Sequence, residues 1–177
     1  MEIEVKGIEE IQKSLKKLEK KTGNLAPTLK AIGEMIRTKI DESFEKEASP
    51  FGEKWKPISA TTAFNYAGGK KKAFKKGGRS LKKSFIKKYG AHGDKRILVE
   101  SENLKDSWGV KADNKSVTVE SYAKARGFPY GLTHQFGSVK RGIPARPFLP
   151  VDDKGNLEST LQKDILEKIE DDLLKGD

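Results

Sequence analysis

One apolar stripe constrains the fold of this chain more than any other feature. Between positions 25 and 44, apolar side chains recur every three or four residues, and lysines and acids fill the opposite face. This spacing predicts an amphipathic helix of roughly six turns whose apolar face packs against a core. The stripe consists of Leu25, Leu29, Ile32, Ile36, Ile40 and Phe44.

Two further helices are predicted towards the ends of the chain. From Ile8 the apolar positions follow helical spacing, and Gly23 is placed to end that helix in a left-handed conformation. The chain closes with a helix whose apolar residues are four apart, from Leu157 to Leu173. Before the first of these helices, alternation from Glu2 to Lys6 predicts a short strand that Gly7 ends.

Strand patterns also occur in the second half of the chain. Residues Ile97 to Glu100 are predicted to form a strand. In Ser116 to Tyr122 apolar and polar residues alternate, and Asp113-Asn114 provides a turn from a preceding strand near Ser107 to Lys111. These two segments predict an antiparallel hairpin.

Shorter elements are predicted between these segments. Ser59 can cap a short helix through Tyr66, and Pro129 and Gly131 frame a helical turn through His134. Two prolines keep Ile143 to Leu149 extended. Without strand-helix-strand alternation, we expect an α+β fold with a small, mostly antiparallel sheet, amphipathic helices packed on one face, and a long basic loop or arm.

The positive charge of the chain is concentrated in one segment. The 177 residues carry a net charge of +10. Residues 70–96 contain twelve Lys and Arg against Asp94 alone, which is +11, so the other 150 residues sum to −1. We therefore predict one domain over residues 1–177 in which residues 67–96 form a basic insertion.

Two interpretations of the basic insertion stay open. In one it is a mobile surface loop whose lysines repel one another. In the other it contacts the DNA backbone without reading sequence, because lysine favours diffuse attraction over bidentate base recognition. The residues available for this contact are Lys70, Lys71, Lys72, Lys75, Lys76, Arg79, Lys82, Lys83, Lys87 and Lys88.

Signatures of catalysis are missing from the sequence. The chain has no cysteine, its two histidines His92 and His134 lack partners at metal-ligand spacing, and Lys71 stands where a phosphate loop needs Ser or Thr. We therefore expect no enzyme activity, no cofactor, no metal and no small-molecule substrate. No apolar run approaches the length of a membrane span, which favours a soluble cytoplasmic protein without a membrane partner.

The segment from Phe128 to Pro150 is dense in aromatic, Gly, Pro and Arg residues. Within it, His134-Gln135-Phe136-Gly137 is followed by Ile143-Pro144-Ala145-Arg146-Pro147-Phe148-Leu149. With the upstream blocks 49–58 and 97–107, this order resembles the phage virion morphogenesis family, the tail completion proteins of Mu-like contractile-tailed phages and prophages.

This resemblance implies an α+β structural protein that completes the tail or joins it to the head. It implies self-assembly into a ring at the neck, contacts with other tail or neck proteins, and no enzyme activity or cofactor. The protein would lie in the host bacterial cytoplasm during assembly and then in the virion. A ring would bring the basic insertions near the DNA path. The alternative is a nucleic-acid-binding protein that acts through its lysine-rich segment without sequence specificity.

Nine residues of these blocks are predicted to shape the scaffold or the subunit interface. Trp55 is expected to anchor the core or to form an interface hot spot. His134 is expected to be half-buried and hydrogen-bonded to backbone, and Arg146 to contact a carboxylate in its own subunit or the next. The full set is Trp55, His134, Gln135, Phe136, Gly137, Pro144, Arg146, Pro147 and Phe148.

Overall fold

The computed structural model describes residues 5–66, 68–77, 80–89, 97–99, 103–124 and 127–175. Its helices and strands follow one another in the order α1 (Glu9–Thr22), α2 (Ala26–Lys46), α3 (Ala60–Tyr66), α4 (Lys70–Ala73), α5 (Lys83–Tyr89), α6 (Asn103–Asp106), β1 (Trp108–Ala112), β2 (Val117–Ser121), α7 (Tyr130–Phe136), a 3-10 turn (Val139–Arg141) and α8 (Ser159–Lys175). This mixture of helices with a small antiparallel sheet confirms the α+β prediction.

Helices α1, α2 and α8 form one layer around a shared apolar core. The predicted stripes meet there, with Leu18 of α1, Ile32 of α2 and Leu161 of α8 all buried in one cluster. Gly23 ends α1 at φ 67°, as the sequence predicts, and Glu158 accepts hydrogen bonds from the first backbone N–H groups of α8. The three long helices are therefore where periodicity predicted them.

The predicted hairpin is present and packs against α2. Strands β1 and β2 pair antiparallel, with Val110 opposite Val119. The turn is fixed by Asp113, whose Oδ1 accepts bonds from the N–H groups of Lys115 at 2.7 Å and Ser116 at 2.8 Å. The neighbouring Asn114 reaches across to α2, where its Oδ1 accepts the N–H of Leu25 at 2.7 Å.

Gly33 allows the hairpin to approach α2 closely. A Cβ at this position would lie 2.4 Å from Val110 Cγ1 and 2.7 Å from Val117 Cγ2. Both distances are shorter than carbon atoms tolerate, so the close fit of sheet and helix depends on the missing side chain. The sequence pattern alone does not indicate this role of Gly33.

A second apolar cluster continues the core beyond α2. It contains Ile40 and Phe44 from the end of α2 together with Trp55, Leu104 and Phe148. Ile36 contacts both this cluster and the core of the helical layer. Helix α2 therefore forms one wall of both clusters.

The basic segment contains helices where the sequence analysis expected a long loop. Helix α3 begins after Ser59 as predicted, because Ser59 Oγ accepts the N–H of Thr62 at 3.1 Å. Helices α4 and α5 follow, and buried Ala63, Ala73 and Phe85 form a small core between them, with Phe64 and Phe74 packed against it. We call residues 58–66, 68–77 and 80–89 the basic lobe. The expected mobility of this segment stays a prediction.

Two other predicted strands do not appear as regular strands in the described residues. The predicted strand from Ile97 to Glu100 is wrong for the residues that the structure describes, because Ile97 and Leu98 form a turn and Leu98 has φ 61°. Glu100 lies outside the described residues. A left-handed residue cannot continue an extended strand. Residues 2–4 of the predicted strand from Glu2 to Lys6 lie outside the described part, and Lys6 forms a single parallel bridge with Asn156.

Substitution of Gly33 tests the packing of the hairpin on α2. Although alanine ordinarily favours a helix over glycine, Gly33→Ala should destabilise the protein by about 1–3 kcal/mol, because the new methyl group overlaps both valines. Urea unfolding followed by circular dichroism measures the change. Val110→Ala in the same chain opens space, so the double variant should lose less stability than the sum of the two single variants; strict additivity would contradict the predicted overlap.

Candidate assembly site

Two distant segments meet beside the second apolar cluster. The first follows α2 and contains Trp55, which is buried; the second runs from His134 to Leu149. The indole Nε1 of Trp55 donates a hydrogen bond to the carbonyl oxygen of Pro147 at 2.8 Å. Trp55 therefore has the anchoring role expected of it and also joins two of the sequence blocks.

Arg146 forms the second connection between these segments. Its side chain is buried, and Nε donates to the carbonyl oxygen of Lys56 at 2.9 Å while Nη2 donates to that of Pro57 at 3.2 Å. These described bonds go to main-chain oxygens of the same chain, and the expected contact of Arg146 with a carboxylate stays a prediction. The guanidinium group thus provides hydrogen-bond donors for the carbonyl oxygens of Lys56 and Pro57. Pro57 has no N–H group, so regular strand pairing cannot form at this position.

Gln135 closes the 134–149 segment on itself. It is buried, and its Oε1 accepts the N–H of Phe148 at 2.9 Å and the N–H of Leu149 at 3.1 Å. A main-chain hydrogen bond also joins α7 to the extended segment, because the N–H of Arg146 donates to the carbonyl oxygen of His134 at 2.7 Å. Helix α7 and the following extended segment are thus held together by three hydrogen bonds.

Phe148 occupies the centre of the apolar cluster. Its ring stacks on Phe44 with centroids 5.3 Å apart and meets Trp108 edge-on at 5.7 Å. Gly137 sits at the bend between α7 and this segment with φ 73°, and a Cβ there would lie 2.8 Å from the nitrogen of Ala145. Only glycine fits this bend. Pro144 is half-buried beside it.

His134 is half-buried, and within the described residues the expected hydrogen bond between its imidazole and the backbone is not made by Nδ1. That nitrogen is buried and has no hydrogen-bond partner among the described residues. Burial lowers the pKa of His134 below its ordinary value, and the Arg146 guanidinium lowers it further. The imidazole is therefore neutral near pH 7, with the Tyr130 ring edge-on at 6.2 Å.

The same chain segment also presents apolar side chains to solvent. Phe136 is 53% exposed and Val139 is fully exposed on the 3-10 turn. Phe128 is exposed too, with the guanidinium carbon of Arg141 5.2 Å from its ring centroid. We call Phe128, Phe136, Val139 and Arg141 the α7 surface. Phe136 was predicted as a site residue, whereas Phe128, Val139 and Arg141 were not, because sequence alone does not reveal exposure.

The predicted interface residues therefore fall into two groups. Trp55, Gln135, Arg146 and Phe148 are buried within the chain, and Phe136 is exposed. The buried group fixes the course of the backbone on which the α7 surface is carried.

The lysines of the basic insertion lie in different surroundings. Lys71, Lys75, Lys76 and Lys82 line a cavity of about 750 Å³, together with Phe64, Phe74 and Gly77. Lys72, Lys83 and Lys87 are exposed elsewhere on the basic lobe. Lys70 belongs to α4 and Lys88 to α5, while Arg79 and His92 lie outside the described residues.

In the part of the chain that the structure describes, no three His, Cys, Asp or Glu side chains are grouped closely enough to hold a metal ion. None of the described helices is both long and apolar enough to cross a membrane.

Fold and site thus define a small α+β protein whose motif residues build a packed scaffold under an exposed apolar surface. The model of the phage virion morphogenesis family matches residues 6–173 of the 177. The chain belongs to this family, which confirms the resemblance seen in the sequence and indicates a structural role in building phage particles. No curated protein and no solved structure matches the chain.

Gln135 provides a direct test of the scaffold. Gln135→Leu keeps the side-chain size but leaves the buried N–H of Phe148 and the part-buried N–H of Leu149 without an acceptor, so we expect a loss of about 2–4 kcal/mol in the free energy of unfolding. The exposed Gln12 on α1 offers a matched control, and Gln12→Leu should stay within about 0.5 kcal/mol of the wild type. Equal stability of the two variants would show that the Gln135 bonds do not hold this segment.

Proposed function

We propose that this protein completes the tail of a Mu-like contractile-tailed phage or prophage, or joins that tail to the head, as a ring at the neck. It acts through protein contacts and carries out no reaction. It assembles in the host cytoplasm and stays in the virion. Membership of the phage virion morphogenesis family over residues 6–173 is the observation that carries this proposal.

The α7 surface supports a role in protein contacts. Exposed aromatic and apolar side chains beside an arginine are typical of interface centres. The surface is supported from below by the bonds of Gln135 and Arg146, so its backbone is held in place before a partner arrives. A preorganised surface loses less conformational entropy on binding.

The proposed ring uses one chain in several identical copies. Closed cyclic symmetry is the economical way to build a collar from a small protein, because every subunit uses the same contacts. The other partners in this proposal are neighbouring tail or neck proteins.

Complementation of a lysogen that lacks this gene tests the proposal. The wild-type gene should restore infectious particles, while a variant with both Phe136→Ser and Val139→Ser should lower the titre at least about tenfold because it loses apolar contact area. Electron microscopy of the variant should show filled heads beside unattached or overlong tails.

Phe51→Ser is the matched control for this experiment. Phe51 is 44% exposed on the turn after α2 and does not belong to the α7 surface, so its replacement should leave the titre near the wild-type value. Normal infectious virions from the lysogen without the gene would overturn the assembly role itself.

A second candidate function is binding to the nucleic-acid backbone through the basic lobe. It is favoured by the charge of the lobe, where seven lysines with described side chains have no carboxylate partner among the described residues. Such a surface attracts phosphates without selecting a sequence.

Binding to duplex DNA at several salt concentrations tests this candidate. Replacing the outward Lys72, Lys83 and Lys87 by Gln should reduce the slope of log affinity against log salt by about 0.9 for each phosphate that the variant no longer neutralises. Replacing Lys13, Lys16 and Lys17 on α1 by Gln gives the same charge change elsewhere. Equal slopes for the two triple variants would remove the basic lobe as the binding surface.

A further inference from the structure

The cavity of the basic lobe combines an apolar lining with a dense positive charge. Phe64 and Phe74 pack with ring centroids 5.3 Å apart and both line the cavity. Lys71, Lys75, Lys76 and Lys82 line it as well. We call this cavity the lysine-rimmed pocket. Its volume is about 750 Å³, and it is largely open to solvent.

The four lysines of this pocket have no ionic partner within the described chain. The one described side-chain bond among them runs from Lys82 Nζ to the carbonyl oxygen of Lys71, at 3.5 Å. Four ammonium groups around one cavity repel one another unless an anion neutralises them. The complementary ligand therefore carries several negative charges around an apolar group that can contact the two phenylalanines.

Helix α8 presents such a combination on its exposed face. Four residues lie along one side of this helix, because the last three are three, four and seven positions after the first. They are Glu167, Glu170, Asp171 and Leu174. The three carboxylate residues are exposed, and Leu174 is 74% exposed, one of the most exposed large apolar residues. The opposite face of α8 is buried on α1 and α2 through Leu161, Ile165 and Ile169.

We infer that the lysine-rimmed pocket of one subunit receives the exposed face of α8 from a second copy of this chain. Leu174 contacts Phe64 and Phe74, while Glu167, Glu170 and Asp171 pair with the pocket lysines. This inference rests on the proposed ring, and it names the two surfaces that meet in it.

The contact has a definite symmetry. Because pocket and helix face are different surfaces of one chain, their pairing is head-to-tail, and successive copies close into a ring when the rotation between them permits. A pairing of identical surfaces would instead stop at a dimer. The lysine-rimmed pocket is thus suited to cyclic assembly.

The apolar lining favours a protein ligand over duplex DNA. A duplex offers phosphates and sugars to a basic surface but no apolar side chain for the phenylalanines. Single-stranded nucleic acid could stack its bases there, and binding to single-stranded DNA is therefore measured beside self-association.

Charge exchange between the two surfaces tests the contact. One full-length variant carries Lys75→Glu and Lys76→Glu, and the other carries Glu170→Lys and Asp171→Lys. Each variant alone places like charges at the contact, so self-association should weaken at least about tenfold in sedimentation equilibrium. In an equimolar mixture every contact between unlike variants is complementary, so association should return towards the wild-type level.

Two further variants complete the design. Lys16→Glu with Lys17→Glu makes the same charge change on the exposed side of α1 and should associate like the wild type. Leu174→Ser keeps all charges but removes the apolar group, and it should weaken association about three- to tenfold. Circular dichroism confirms that each variant is folded.

The outcomes separate this contact from the proposed function. Recovery in the mixture supports the head-to-tail contact. A wild-type protein that stays monomeric would overturn the head-to-tail contact, and so would pocket variants that associate normally. Variants that lose binding to single-stranded DNA but keep self-association would overturn it as well. In each of these cases the lysogen experiment still decides whether the protein acts in tail assembly.

Discussion

The stacking of Phe148 on Phe44 is the interaction on which most of this structure depends. Phe44 ends the long stripe of α2, and Phe148 belongs to an extended segment about a hundred residues later. The contact brings together the end of the central helix, the Trp55 segment and the segment after α7. The hydrogen bonds of Trp55, Gln135 and Arg146 then fix the register of these pieces around the two rings. The buried residues Trp55, Gln135, Arg146 and Phe148 of the sequence blocks all serve this junction.

Periodicity predicted the elements whose burial follows a simple pattern. Sequence pattern alone was sufficient to predict the three long helices and the hairpin, because each of these elements buries one face. The helices α1, α2 and α8 show apolar stripes, and the hairpin shows alternation. Prediction failed where a short apolar run lacked a period. Ile97 to Val99 resembles a strand by composition, yet Leu98 adopts a left-handed turn. Helices α4 and α5 of the basic lobe were missed because the dense lysines hid a small set of aromatic contacts. The role of Gly33 was missed because it depends on a contact between α2 and a hairpin far along the chain.

The sequence pattern located residues that the structure brings together, but it did not indicate which atoms they contact. The aromatic and proline pattern located Trp55, Gln135, Arg146 and Phe148, and burial of Trp55 followed from its size. The pattern did not identify the main-chain acceptors of Arg146, since two carbonyl groups near a proline become acceptors only after the segments meet. Exposure was equally hidden, because Phe136 and Phe148 look alike in a sequence although one faces solvent and the other is fully enclosed.

The bond from Asn114 to the start of α2 affects the order in which this chain can fold. Asn114 Oδ1 accepts the N–H groups of Leu25 and Ala26, which lie 89 and 88 residues earlier. During synthesis the first turn of the central helix emerges long before its acceptor. Asn24 Oδ1 accepts the N–H of Ala26 locally, but the bonds to Asn114 form only after the hairpin has been made. The N-terminal end of the central helix is for this reason completed by a residue beyond the middle of the chain.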